Sequence, residues 1–196
     1  VLFRSAPLSG KTVAFLATDG VEQVELTSPW EAVIAAGATP VLVSPKSGTI
    51  TAMQSDWDHG ESFEVNTTVK DAKAEDFHGL VMPGGTLNAD ALRIDTDAQA
   101  FVRAFFEQHK PVAAICHAPW TLIEAGVVEG LLGARRAVDD GGHRDHLGAL
   151  LATGLDGGER RVAGGGGVLD NQHALALDGR ALDAALHAVL LGFLAH

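Results

Sequence analysis

Cysteine is almost absent from this sequence: Cys116 stands alone in 196 residues. No internal disulfide can form, which fits a reducing, cytosolic compartment and leaves one free thiol to explain. Basic residues are scarce as well. Fourteen Lys and Arg stand against 25 Asp and Glu, for a formal net charge of -11, and no dense basic cluster occurs. Nucleic acid and anionic membranes are therefore poor partners. Apolar runs stay well short of the roughly 18 residues a membrane helix needs, so no span is expected. Val1 to Gly10 carries no secretory pattern, because Arg4 and Pro7 interrupt it. Leu2-Phe3-Arg4-Ser5 reads as a cloning or sequencing scar, and residues 1–10 are set aside as a leader outside the fold.

What is present suits a globular domain over residues 11–196. Hydrophobic residues make up 46% of the chain, enough for a real core. Val13 to Ala17 is a continuous apolar run, as expected of a strand buried on both faces of a parallel sheet. A helix should follow through Trp30, Val33 and Ile34, with Pro29 in its first turn or kinking it, and Gly37 ends it. Val41 to Val43 forms a second strand. Ile50 to Val69 is polar and less regular, a hairpin and a loop. Leu80 to Met82 is a short strand running into Pro83-Gly84-Gly85. Ala98, Phe101, Val102 and Phe105 recur at helical spacing within a helix over Asp95 to Gln108. Val112 to Ile115 is another strand, and Ala118 to Ala125 a helix ended by Gly126. This alternation predicts an α/β doubly wound sandwich with a mostly parallel sheet. Eleven of the 23 glycines fall between Leu131 and Asp170. That stretch, including Gly164 to Gly167, reads as a long mobile surface region and not as a phosphate cradle, since no clear strand and helix flank it. Leu182, Leu186, Val189 and Phe193 line a final helix.

The chemistry centres on Cys116. A lone buried cysteine is ordinarily an inert small hydrophobe. This one lies where a strand ends and a helix begins, at the sheet edge where open α/β folds build their sites. A sharp strand-to-helix turn presents a nucleophile, and the helix N-terminus favours thiolate, so its pKa is expected below the free value of about 8.5. His117 is a candidate proton carrier, although adjacent residues on such a turn need not touch. Gly84 and Gly85 follow another strand and could turn backbone N–H groups towards an oxyanion. Glu22 and Glu25 share a helical face. Glu22 is read as complementing the helix dipole. Glu25, in an apolar setting, is read as a protonated donor to the thiolate.

Three stretches resemble the ThiJ/PfpI family of the class I glutamine amidotransferase-like superfamily. They are Thr18-Asp19-Gly20-Val21-Glu22-Gln23-Val24-Glu25-Leu26, Leu80-Val81-Met82-Pro83-Gly84-Gly85, and Lys110-Pro111-Val112-Ala113-Ala114-Ile115-Cys116-His117-Ala118-Pro119-Trp120. That family includes intracellular cysteine proteases, protein deglycases and glyoxalases. The resemblance implies a flavodoxin-like three-layer sandwich, a homodimer or larger oligomer, and no cofactor. It implies Cys116 as nucleophile, His117 beside it, Glu25 as the carboxyl that holds the cysteine, and Gly84 and Gly85 as the oxyanion-side loop. Asp90 falls near the acid that some members offer to the histidine across a subunit interface. The family pattern stops near Gly130, and residues 131–177 are either divergent or the product of a reading-frame slip.

Single residues separate the competing chemistries. A glutamine amidotransferase needs a distant His-x-Glu, whereas His173 is followed by Ala174 and Leu175. His143 and His146, near Asp140 and Asp145, read as a solvated loop and not as a metal site. Asp56, Asp58, His59 and Glu61 also read as a loop. The expected function is attack on an α-oxoaldehyde or its early protein adduct. An intracellular cysteine peptidase is the alternative within enzymes, and a redox-sensing or chaperone-like protein the alternative outside them.

Overall fold

The computed structural model describes residues 6–128, 150–152 and 162–163. Its first strand, β1 (Thr12–Leu16), shows why an unbroken apolar run is needed. Successive side chains leave a strand on opposite faces. Val13 and Phe15 enter one core with Leu26 and Val33, while Ala14 and Leu16 enter a second with Phe101, Val102 and Phe105. Helix α1 (Gln23–Ala35) covers the first face. Helices α2 (Thr86–Ile94), α3 (Thr96–Glu107) and α4 (Pro119–Glu124) contribute to the second.

The remaining strands are β2 (Thr39–Ser44), β3 (Thr49–Gln54), β4 (Asp58–Glu64), β5 (Thr67–Thr68), β6 (Gly79–Met82), β7 (Val112–Ala114), β8 (Leu150–Ala152) and β9 (Val162–Ala163). The main sheet runs β5-β2-β1-β6-β7-β8-β9. It is parallel from β5 to β7, and β8 and β9 add antiparallel. This is the mostly parallel, flavodoxin-like α/β architecture that the sequence predicts. β3 and β4 form a separate antiparallel hairpin. Parallel pairing aligns Phe15 with Val81 and Met82 with Ala114, so the chain leaves β1, β6 and β7 at one sheet edge.

Several expectations need correction. Of the two places expected for Pro29, the first turn is excluded: it lies inside α1, six residues after the helix starts. Asp58, His59 and Glu61 are in strand β4, because the hairpin extends beyond its turn. Helix α2 has no counterpart in the sequence reading. Within the Gly-rich stretch read as a surface region, β8 pairs Leu150, Leu151 and Ala152 with β7. From Ala6 the N-terminal segment packs on the fold: Leu8 is buried and its N–H donates to the Ala36 carbonyl at 2.9 Å. The proposed final helix, His143, His146, His173 and Gly164 to Gly167 lie outside the described residues. Among the described residues, no helix is long and apolar enough to cross a membrane.

Candidate active site

Cys116 lies just past β7 with φ of 55°, in the left-handed region that side chains other than glycine rarely adopt. That turn projects its side chain away from the strand, and Ala118 N–H closes it onto the Ile115 carbonyl at 3.0 Å. Such a conformation costs of order 1–3 kcal/mol and persists where the surroundings hold it. The consequence is direct contact: Cys116 Sγ lies 3.0 Å from His117 Nδ1. The His117 ring packs edge-on against Trp120, with centroids 4.9 Å apart.

Glu25 reaches the same point from α1. Its carboxyl is buried and accepts the Gly84 N–H at 2.8 Å, and it shares a hydrogen bond with the thiol. Gly84 leaves no room for anything larger. A Cβ there would stand 2.6 Å from Glu25 Oε2, 2.7 Å from Cys116 Cβ and 2.7 Å from the Ile115 carbonyl. Gly85 has φ of +87°, and its N–H donates to Cys116 Sγ, as does that of His117. The two glycines therefore play different parts. Gly84 N–H is engaged by Glu25, and Gly85 N–H is the donor that can follow charge developing on sulfur or substrate.

Burial pushes the Glu25 carboxyl up to about 7, with Gly84 N–H and the Cys116 hydrogen bond pulling the other way and the Glu22 and Asp56 carboxylates adding to the rise. The sequence-based expectation that Glu25 holds a proton by desolvation agrees in direction. The thiol does the opposite of what its place before a helix suggests. Burial first, then the Glu25 carboxylate, push it up to about 12. Helix α4 has only six residues and begins three residues beyond the sulfur, so its dipole is outweighed by desolvation and an adjacent negative charge. Protonation of Glu25 removes that charge and turns its O–H into a donor towards sulfur, so the two groups share their protons as a pair.

Asp90 does not meet His117 within the chain. It faces solvent on α2 and pairs with Arg93 at 2.6 Å, which also reaches Glu124 at 3.5 Å. Asp90 and Arg93 line a surface depression of about 370 Å³ with Trp120, Ile123 and Glu124. Glu22 is more than a dipole complement: its carboxylate accepts the N–H groups of Ser55 at 3.2 Å and Asp56 at 3.3 Å.

Sequence reasoning missed Asn88, which is fully buried. Its Nδ2 donates to the Pro83 and Gly84 carbonyls, both at 2.9 Å, and its Oδ1 accepts Thr18 N–H at 2.7 Å. Turning those carbonyls towards α2 leaves the Gly84 and Gly85 N–H groups facing the cysteine. A polar residue one helical turn beyond a glycine pair is the only signal the sequence offers for it. No cluster of three or more His, Cys, Asp or Glu suited to a metal exists among the described residues.

A cysteine in a left-handed turn at the edge of a mostly parallel sheet, gripped by a buried carboxyl and a histidine, defines a cysteine-centred flavodoxin-like protein. The chain belongs to the DJ-1/PfpI family, whose pattern matches residues 11–134. It is 38% identical over 120 residues to the Bacillus subtilis protein named "Putative cysteine protease YraA", covering 61% of this chain and 68% of that one. It is 31% identical over 161 residues to Deglycase PfpI of Pyrococcus furiosus, covering 82% and 89%. Among solved structures, a two-domain protein of Anabaena variabilis with DJ-1/ThiJ/PfpI-like and ferritin-like domains aligns with a TM-score of 0.54 at 31% identity. That alignment covers 59% of this chain and 32% of the other. Oxidised DJ-1 of Toxoplasma gondii shares the fold, with a TM-score of 0.56 at 22% identity, over 62% of this chain and 64% of that one.

Proposed function

We propose that the protein is a cysteine-dependent hydrolase or lyase acting on α-oxoaldehydes or their early protein adducts. The observation that carries this reading is the contact of Cys116 with both His117 and Glu25 at a left-handed turn, with no carboxylate bonded to His117 among the described residues. With the thiol pushed up to about 12, the resting site holds no free-standing thiolate while Glu25 is ionised. His117 Nδ1 takes the thiol proton as sulfur bonds to the aldehyde carbon and passes it to the former carbonyl oxygen, giving a hemithioacetal. The former aldehyde proton moves to the adjacent carbonyl carbon through an enediol, with Glu25 as the carrier, and leaves a thioester. Water cleaves the thioester to a 2-hydroxy acid and restores the thiol. The sequence of steps is redox-neutral and calls for no cofactor.

An aldehyde is the favoured electrophile because expelling an amine from a peptide demands a well-oriented histidine, and among the described residues His117 meets the Cys116 thiol and the Trp120 ring but no orienting acid. Relatives named deglycase and cysteine protease keep both substrates in view. A homo-oligomer would change the site. The depression beside Trp120 is lined in part by Asp90, and Asp90 of a partner subunit would supply the orienting acid that His117 lacks among the described residues. Methylglyoxal turnover measured beside casein cleavage on the purified protein tests the substrate class. Turnover of the aldehyde without cleavage of casein is expected, and the reverse pattern would replace this reading with a peptidase.

A further inference from the structure

Between α1 and α2 the β3–β4 hairpin does something that neither its sequence nor the proposed chemistry assigns. Its turn residues Ser55 and Asp56 both adopt positive φ, at 62° and 58°. That conformation points their two N–H groups together at the Glu22 carboxylate, at 3.2 and 3.3 Å. The first strand of the hairpin is tied to the same loop by Met53 N–H on the Val21 carbonyl at 2.7 Å, and its second by Glu61 N–H on Gln23 Oε1 at 2.8 Å. Held in this way, Asp56 extends its own carboxylate to α2. It accepts Thr86 N–H at 3.0 Å and Thr86 Oγ1–H at 2.9 Å. Thr86 directly follows Gly85, which as a glycine has no side chain with which to cap the helix.

We propose that the hairpin turn is a clamp on the Gly84-Gly85 loop, and that Asp56 is its positioning residue. The inference rests on the reading of Cys116 as the reacting thiol. Glu22 closes the ring, since its own N–H donates to the Gly84 carbonyl at 3.4 Å while its side chain grips the hairpin. Asn88 holds the Pro83 and Gly84 carbonyls from the side of α2. The loop is thus fixed from both sides, with Gly84 N–H on Glu25 and Gly85 N–H on sulfur. Releasing Thr86 frees the Gly85 peptide to rotate about a residue that tolerates almost any φ, and the donor to sulfur is lost. Asp56 touches neither the thiol nor the substrate in this scheme; it acts through Thr86.

Cys116 is the only cysteine, so iodoacetamide alkylation reports on this thiol alone and needs no turnover. Asp56→Ala is expected to slow alkylation at fixed pH several-fold and to lower kcat for methylglyoxal about tenfold, with KM within about twofold. Asp56→Asn keeps an acceptor for Thr86 N–H and a donor for Thr86 Oγ1, so both readings should return close to wild type. Asp58→Ala removes an equal charge two residues along the hairpin and should match wild type. If Asp56→Ala fails to fold by circular dichroism, Thr86→Val, which deletes the Oγ1 bond alone, is read in its place with the same expectations. Wild-type alkylation and kcat in Asp56→Ala would overturn the clamp, as would an Asp56→Asn variant indistinguishable from Asp56→Ala. Slowed alkylation in a protein that processes no aldehyde would refute the proposed substrate and leave the clamp standing.

Discussion

Replacing Glu25 with glutamine should make the protein more stable, but only above the pH where the carboxyl loses its proton. The native carboxyl titrates at about 7 against an ordinary 4.5. Between those values the folded state holds a proton that the unfolded state has released, so stability falls as pH rises through that window. The stabilisation is fully present below about 4.5 and is gone above about 7. A gap of about 2.5 pH units at about 1.36 kcal/mol each amounts to about 3 kcal/mol. Because Glu25 is buried among Gly84, Cys116 and the apolar first core, solvent screening does little to reduce it. Glu25→Gln keeps a side-chain oxygen for Gly84 N–H and cannot ionise. Urea unfolding of both proteins at pH 4 and pH 8 should therefore show similar free energies at the lower pH and a variant about 3 kcal/mol more stable at the higher. A difference that is the same at both pH values would refute the elevated Glu25 pKa and the proton sharing built on it.

Other outcomes follow from the same geometry. Absorbance titration of Cys116 should give a thiol pKa in Glu25→Gln below the wild-type value of about 12, because an amide donor replaces an anion; an unchanged value would remove Glu25 from the thiol's surroundings. Gly84→Ala should abolish methylglyoxal turnover, since its Cβ would press on Glu25 Oε2, Cys116 Cβ and the Ile115 carbonyl at 2.6–2.7 Å; activity within a factor of about two of wild type would mean the loop is free to move. Mixing Cys116→Ala with Asp90→Asn subunits should restore some activity, if Asp90 serves the His117 of a partner. Absence of recovery, with exchange verified by native mass spectrometry, would leave Asp90 to its pairing with Arg93.

The parts of the fold that sequence foretells are those whose partners are uniform. β1 and β7 read as strands because both faces of each are covered by apolar side chains, and α3 reads as a helix because Ala98, Phe101, Val102 and Phe105 share one buried face. Helix α2 escapes the same logic. Its Leu87 and Ile94 are exposed while its polar Asn88 is fully buried, which inverts the usual pattern. Its cap is Asp56, thirty residues earlier, and Gly85 signals a turn and not a helix start. The grip of Glu22 on the hairpin is hidden for a similar reason, since the N–H groups it holds lie more than thirty residues away. The convergence of Cys116, His117, Glu25, Gly84 and Gly85 is legible in the sequence because each sits at the end of a strand or in the first turn of a helix, and strand ends converge in a parallel sheet. The direction of the thiol pKa is not, because it depends on how closely Glu25 approaches and how deeply both are buried, which spacing along the chain does not reveal.

Lactate formation from methylglyoxal by wild-type protein and by Cys116→Ala, at equal concentration and with folding verified by circular dichroism, tests the central claim most directly. Wild type should produce lactate and Cys116→Ala none above the uncatalysed rate. Lactate produced at the wild-type rate by Cys116→Ala, or by neither protein, would contradict the assignment of this thiol as the nucleophile of an α-oxoaldehyde-consuming enzyme.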